Sequence, residues 1–197
     1  MTIDKPKISH VPDLRVLFAE AFGEEEAFLD LFFSSAFSPC RALAATEGEE
    51  LLGALYWFDC EYLEKKVAYV YGVATAKRHR GRGICTALMR SAHEHLRDEG
   101  YSSAILVPAE LSLFNFYSRL GYRTACGISE REVVASESPL PLREVSTAEY
   151  ASLRKSLLPA GAVIEEGPVL DLLSAGSKFY TGEGVLLAAR LLDDRLL

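Results

Sequence analysis

The run KVAYVYGVAT (66–75) passes through RHRGRG (78–83) directly into ICTALMRSAHEHLRDEG (84–100). The first segment is rich in Val and Tyr, which suit a pleated, half-buried surface. It reads as a strand with Val67, Tyr69, Tyr71 and Val73 on one face. In the last segment Ile84, Leu88, Ala92 and Leu96 recur at i, i+4 along one side of a helix, and Gly100 is a natural residue to end it. A strand that feeds a helix through a glycine-bearing loop aims several main-chain N–H groups at one point, because the first turn of a helix has unpaired donors. The macrodipole adds partial positive charge there. Glycine keeps a Cβ from holding an anion off the main chain. Arg78, His79, Arg80 and Arg82 add charge around the rim. The arrangement suits phosphate or pyrophosphate. Taken alone, the same loop also reads as a basic surface turn, and it contains neither GxxxxGK[ST] nor GxGxxG.

That loop is basic in an acidic chain, whose formal net charge is −7. Nucleic-acid binding depends on neutralising phosphates, so this balance argues against it. The apolar runs, such as 104–107, are far shorter than a membrane span. The amino terminus, MTIDKPKISH, has no apolar stretch of the kind a secretory signal needs. The cysteines at 40, 60, 85 and 126 form no CxxC and no metal pattern, and no histidine pair is spaced for a metal. These features read as reduced thiols in a cytoplasmic protein. A length of 197 residues suits one domain, or one domain and a fragment.

The amino-terminal part, 12–37, reads as two helices parted near Gly23, with Pro12 in the first turn. Residues 40–58 hold two extended segments around EGEE, the pattern of an antiparallel hairpin. After the central helix, 102–109 is short and apolar and reads as a buried strand. Residues 111–121 read as a short helix closed by Gly121, and 122–134 as one long strand or a strand pair. Helices and strands alternate only in the second half, which predicts a mixed α/β (α+β) fold with a mostly antiparallel sheet rather than a doubly wound one.

The prolines of SESPLPLR place a linker at 136–142, between a domain at 1–135 and a remainder at 143–197. That remainder begins again. STAEYASLRKSLLPAG (146–161) is a helix capped by Ser146 or Thr147 with Glu149 in its first turn. VLDLLSAG (169–176) is a second helix, and 178–197 reads as two strands around TGEG or around DD. Helix, helix, hairpin is the order that opens the chain, so 143–197 reads as a partial second repeat. With no sheet partner of its own, it must pack on the first domain or on another chain, as in a homodimer.

Two motifs together resemble the GCN5-related N-acetyltransferase (GNAT) family. The first is VYGVATAKRHRGRGICTALM (70–89), which carries that family's [QR]xxGx[GA] loop between a strand and a helix. It fits in two registers, 78–83 and 80–85. The second is preferred, because the family's continuation then falls on Gly83, Ile84, Leu88 and Met89, with Cys85 in place of the usual small residue. The other motif is FNFYSRLGY (114–122), in which Phe116, Tyr117, Gly121 and Tyr122 match the family's aromatic-Tyr-x-x-x-Gly-[FY] ending. The resemblance covers about residues 5–130. It implies a central sheet flanked by helices, acetyl-CoA as co-substrate, and transfer of the acetyl group to an amine of a small molecule or peptide.

The resemblance also assigns residues. The pyrophosphate would rest on the main chain of Arg80, Gly81, Arg82, Gly83, Ile84, Cys85 and Thr86. The pantetheine arm would lie against the main chain near Val73 and Thr75, with an N–H near Val73 facing the thioester oxygen. Tyr117 would act as general acid toward the leaving thiolate. It shares a helix face with Phe114, at i, i+3. Where many members carry an asparagine seven residues before that tyrosine, this chain has Glu110.

The general base stays open among Asp59, Glu61, Glu64, Tyr71, Glu20 and Glu24 to Glu26. The family's acceptor site often borders the loop between the first two helices. There, GEEE (23–26) would attract a cationic acceptor such as a polyamine, an aminoglycoside or a lysine side chain, although acidic residues at a helix start also suit its dipole. A thiol at a helix start tends to ionise, yet a thiolate at Cys85 would repel pyrophosphate, so Cys85 reads as a packed small residue. His79 reads as a rim cation, and His93 and His95 as surface residues. A noncatalytic acyl-CoA-binding module is the rival reading. A nucleotide-phosphate enzyme is a third, weakened because no lysine-plus-hydroxyl pair follows the glycines.

Overall fold

A computed structural model of the chain describes residues 1–127, 140–159, 161–192 and 195–196. A short strand, β1 (Thr2–Asp4), precedes helix α1 (Val11–Phe22). α1 ends on Gly23, which adopts φ 72° as its cap. Helix α2 (Glu26–Leu31) continues into a π-helical turn, Phe32–Ala36. The hairpin β2 (Ala42–Glu47) and β3 (Glu50–Tyr62) follows, then β4 (Lys65–Thr75), α3 (Ile84–Asp98), β5 (Ser103–Ile105) and α4 (Leu113–Ser118). The strands join in the order β1-β2-β3-β4-β5, antiparallel except for the parallel pair β4 and β5. This is the mixed, mostly antiparallel sheet the sequence predicts.

Both faces of the sheet are covered, which is why β3 reads LLGALYWF without a polar residue. Leu51, Ala54, Tyr56 and Phe58 meet α1 and the π-helical turn through Leu14, Phe18 and Phe32. Leu52, Leu55 and Trp57 meet α3 through Ile84, Leu88, Met89 and Ala92. Burying each large apolar side chain contributes about 1.5–3 kcal/mol, so α3 is held by its buried stripe rather than by propensity.

The regular alternation expected along β4 breaks at Gly72. That residue has φ 58°, and the β3–β4 register slips between Ala54 and Tyr56. The slip is a bulge, in which an extra residue bends the strand and reverses its facing. Tyr69 and Tyr71 therefore lie on the α1 side, while Val73 lies on the α3 side, not with them. The segment 102–109 yields only the three residues of β5, which are half-buried to exposed rather than buried. Residues 122–127 form no strand, and the rest of the strand expected there lies outside the described residues.

The carboxy-terminal part contains β6 (Arg143–Val145), α5 (Thr147–Leu157), β7 (Ile164–Glu165), α6 (Pro168–Gly176), β8 (Lys178–Gly182) and β9 (Val185–Ala189). Ser146 caps α5, its hydroxyl accepting from the Glu149 N–H at 3.2 Å. The sheet order β6-β8-β9, antiparallel throughout, repeats β1-β2-β3, with two helices inserted at the same point. A small core of Val145, Tyr150, Leu170 and Phe179 holds it, with Tyr150 stacked on Phe179 at 4.1 Å. Part of its apolar surface meets the amino-terminal part. Val169 and Leu172 pack beside Phe32 and its neighbours, and β7 adds to the β3 edge at Cys60 and Glu61. Residues 136–139 of the expected linker lie outside the described residues. No helix among the described residues is long and apolar enough to cross a membrane.

Candidate active site

The basic loop leaves β4 through a short turn, Lys77–His79, and reaches α3 by way of Gly81 (φ 79°) and Gly83 (φ 75°), the residue that caps the helix. Among the described residues no protein acceptor receives the N–H groups of Gly81, Arg82, Gly83, Ile84, Cys85 or Thr86. The first regular bond of the helix runs from Ala87 to the Gly83 carbonyl at 3.0 Å, and Arg80 donates to the Lys77 carbonyl at a long 3.4 Å. A Cβ on Gly81 or Gly83 would meet no protein atom within 4 Å. The glycines are thus there for their left-handed dihedrals and open approach, not for packing.

The rim cations are largely engaged by the β2–β3 hairpin. Glu50 pairs with His79 at 2.8 Å and with Arg78 at 2.7 Å, and Glu47 pairs with Arg82 at 3.2 Å. His79, with Arg78, holds the Glu50 carboxyl below its usual range. Arg80 has no carboxylate partner among the described residues; its Nε leans on the Thr75 carbonyl at 3.4 Å. It is the rim cation left to meet an incoming anion. Glu47 and Glu50 belong to the EGEE turn, and nothing in their spacing announces this second task.

β4 and β5 pair only over 67–69 and 103–105, while β4 continues to Thr75. Beyond that point the strands part, and a cleft of about 210 Å³ opens between them. Both sheet faces reach it. From the α1 side come Phe18, Phe22, Tyr69, Tyr71 and Glu24; from the α3 side come Val73, Leu106 and Tyr117. The Ala76 N–H donates to the Leu52 carbonyl on β3. Strand alternation then turns the main-chain groups of Thr75 and Val73 away from β3, to the side β5 has vacated. Val73 lines the cleft itself; Thr75 lies one step toward the loop, and its hydroxyl oxygen is buried without a partner among the described residues.

Tyr117 is half-buried on α4. Burial, and then Cys85 nearby, pushes its phenol up to about 12, so it carries its proton across the neutral range. Leu113, one turn back, lines this cleft with it, and Phe114 lines the larger adjoining pocket with it. Cys85 packs against the α3 core, and burial pushes its thiol up to about 11, the opposite of an ionised helix-start cysteine. Glu110 is exposed and accepts from Ser112 at 3.1 Å.

The structure separates the carboxylates proposed from sequence as bases. Asp59 is bound by Arg41 and by the Tyr101 hydroxyl. Glu61 and Glu64 lie toward the β3–β4 turn, at the other end of the strand. Glu20 accepts the Lys77 N–H at 2.8 Å, and Glu26 pairs with Arg15 at 2.9 Å. Of those carboxylates only Glu24 lines the cleft, where it faces Tyr71. Burial, joined by Tyr69 and Glu24, pushes the Tyr71 phenol up to about 12. His93 and His95 are half-buried, not surface residues: His93 bonds the Tyr122 hydroxyl at 3.0 Å, and His95 packs on Trp57 at 5.6 Å. Among the described residues no three His, Cys, Asp or Glu side chains converge as metal ligands.

Residues 2–125 match the family model described as an acetyltransferase (GNAT) domain. N-acetyltransferase 8B from Homo sapiens is 34% identical over 74 residues, 36% of this chain and 32% of that protein. Eis1 from Mycobacterium abscessus superposes with a TM-score of 0.71 at 19% identity, over 98% of this chain and 54% of that one. A GCN5-related N-acetyltransferase from Anabaena variabilis does so with a TM-score of 0.73 at 15% identity, over 99% and 56%. The chain thus spans about half the length of these solved neighbours, and its match covers about a third of that curated relative. With a family model matching well over half of its length, the chain belongs to the GNAT acetyltransferase family.

Proposed function

We propose that the chain catalyses direct transfer of an acetyl group from acetyl-CoA to an amine of a small molecule or peptide. The observation that supports this most is the run of unpartnered N–H groups from Gly81 to Thr86, at the end of the strand that also borders Tyr117. A diphosphate fits that run and the Arg80 guanidinium, which has no carboxylate partner among the described residues. The open edge of β4 at Val73 and Thr75 fits an extended amide-bearing arm. An N–H near Val73 suits the oxygen on which negative charge develops.

Acetyl-CoA would supply an activated acyl group. The chain's own residues manage protons and exclude water. The phenol of Tyr117, protonated at neutral pH, can donate a hydrogen bond to a departing thiolate. Complete proton transfer from a phenol near 12 to a thiol near 8.5 would cost about 5 kcal/mol. Donation without full transfer is therefore the economical role, and the attacking nitrogen, which sheds a proton as the amide forms, supplies the net proton. An incoming ammonium must lose a proton before it attacks. Glu24 is the carboxylate placed to attract it and, directly or through water, to take that proton.

Thermal unfolding with and without acetyl-CoA, followed by CoA-thiol release with an amine panel, tests the proposal. Saturation at a hundred times Kd stabilises by about 2.7 kcal/mol, which for a chain of this size raises Tm by roughly 5–10 °C. Stabilisation with thiol release supports transfer. Stabilisation without release for any amine would make the chain an acyl-CoA-binding module, and no stabilisation would remove the cofactor reading.

A further inference from the structure

The three consecutive carboxylates of GEEE (23–26) do not act as one cluster. Glu25 precedes α2 and is exposed. Glu26 is held at 2.9 Å by Arg15, which also takes Asp30 at 2.7 Å. Glu24 alone turns into the cleft. The wall around it is aromatic and continuous. Phe18 lies 4.8 Å from Phe22 and 6.3 Å from Tyr71, and Tyr71 lies 6.0 Å from Tyr69. Opposite stand Leu106, Val107 and Leu113.

An ammonium entering such a cleft loses water and needs compensation. One charge finds it, in the Glu24 carboxylate and the faces of neighbouring rings. A second charge on the same molecule would have to lie along leucine, valine, phenylalanine and neutral tyrosine, with no further carboxylate lining the wall among the described residues. The rings are also backed by Phe28, Phe32 and Phe33 in one packed cluster, so the wall is stiff and favours a flat apolar body.

Resting on the transferase reading above, we infer that the acceptor is a primary amine with a single positive charge on an aromatic or otherwise apolar body, not a polycation. Acetyl-CoA turnover with 2-phenylethylamine, spermidine and a short lysine-containing peptide tests this. The expected kcat/KM for 2-phenylethylamine exceeds that for spermidine by at least about tenfold. Glu24→Gln should raise KM for 2-phenylethylamine by about tenfold and leave the acetyl-CoA-induced Tm shift intact. Phe22→Ala, at a ring that is more than a third exposed, should lower kcat/KM for the aromatic amine more than for spermidine. Preference for spermidine, or an unchanged KM in Glu24→Gln, overturns this inference alone. Absence of thiol release with every amine, in a protein that acetyl-CoA still stabilises, overturns the transferase reading and this inference with it.

Discussion

The Glu20 carboxylate accepts the Lys77 main-chain N–H at 2.8 Å, joining α1 to the turn that opens the basic loop. α1 also supplies Phe18 and Phe22 to the cleft, so one helix positions both the acceptor wall and the anion loop. The bond is charge-assisted and lies at the surface, where such a bond is worth only modest energy. Removing it with Glu20→Ala should weaken acetyl-CoA binding by about threefold to tenfold while leaving Tm nearly unchanged. Glu20→Gln, which keeps an acceptor oxygen, should recover part of the loss. Titration of each variant with acetyl-CoA decides the matter, and equal affinity in all three would mean the loop needs no anchor.

Gly83 and Gly72 both have positive φ, but they differ in what surrounds them. At Gly83 a side chain meets open space, so Gly83→Val brings strain of about 1–3 kcal/mol and a bulky group over the free amides. The protein should fold and lose acetyl-CoA affinity by more than tenfold. At Gly72 a Cβ would stand 2.9 Å from the Tyr56 ring and 3.0 Å from Phe18. Gly72→Ala should therefore lower stability itself, by about 2–4 kcal/mol, through strain and overpacking together. Denaturant unfolding and ligand titration of the two variants distinguish these effects.

How far the sequence leads depends on the kind of signal each element leaves. α3 declares itself through repeated apolar spacing, the hairpin of β2 and β3 through two extended segments around a turn, and Ser146 through a cap pattern. The partial second repeat is readable because helix, helix, hairpin recurs in α5, α6, β8 and β9. β1, β6 and β7 are two or three residues long, too short for any period to register. The reversal of facing at Val73 hinges on one glycine in a strand, which signals a bulge only ambiguously. Within GEEE the letters are identical, and only the turn between α1 and α2 separates Glu24 in the cleft from Glu26 on Arg15. Tyr117 stands apart through its resemblance to a family motif, not through its local spacing.

Asp59 predicts the acid limb of stability. Burial pushes its carboxyl up, but Arg41, the Tyr101 hydroxyl and Lys66 outweigh that, and it ends below its ordinary value. A carboxylate whose folded pKa is depressed stabilises the fold fully above its unfolded value, about 3.9, and loses that contribution as pH falls through the folded value. Tm should therefore drop between about pH 4 and the onset of acid unfolding. Asp59→Asn should be less stable at pH 7 and show a shallower decline over that interval. Calorimetry from pH 3 to 7 checks both, and parallel curves for the two proteins would show that Asp59 does not drive the decline.

Tyr117→Phe isolates the hydroxyl from the ring. The ring packs beside Tyr122 and against the α3 core, and phenylalanine preserves that contact. If the phenol donates to the leaving group, kcat should fall by about a hundredfold or more, while the acetyl-CoA-induced Tm shift stays the same. Because burial holds this phenol near 12, it keeps its proton well past the point where an exposed tyrosine ionises. The wild-type profile of kcat should thus show no loss from this group between pH 7 and 10. Above pH 10 the unfolded chain ionises first, so the stability linked to this group is complete below 10 and disappears as pH rises toward 12. Equal losses of kcat and of acetyl-CoA binding in Tyr117→Phe would instead mark the hydroxyl as part of the cleft's architecture.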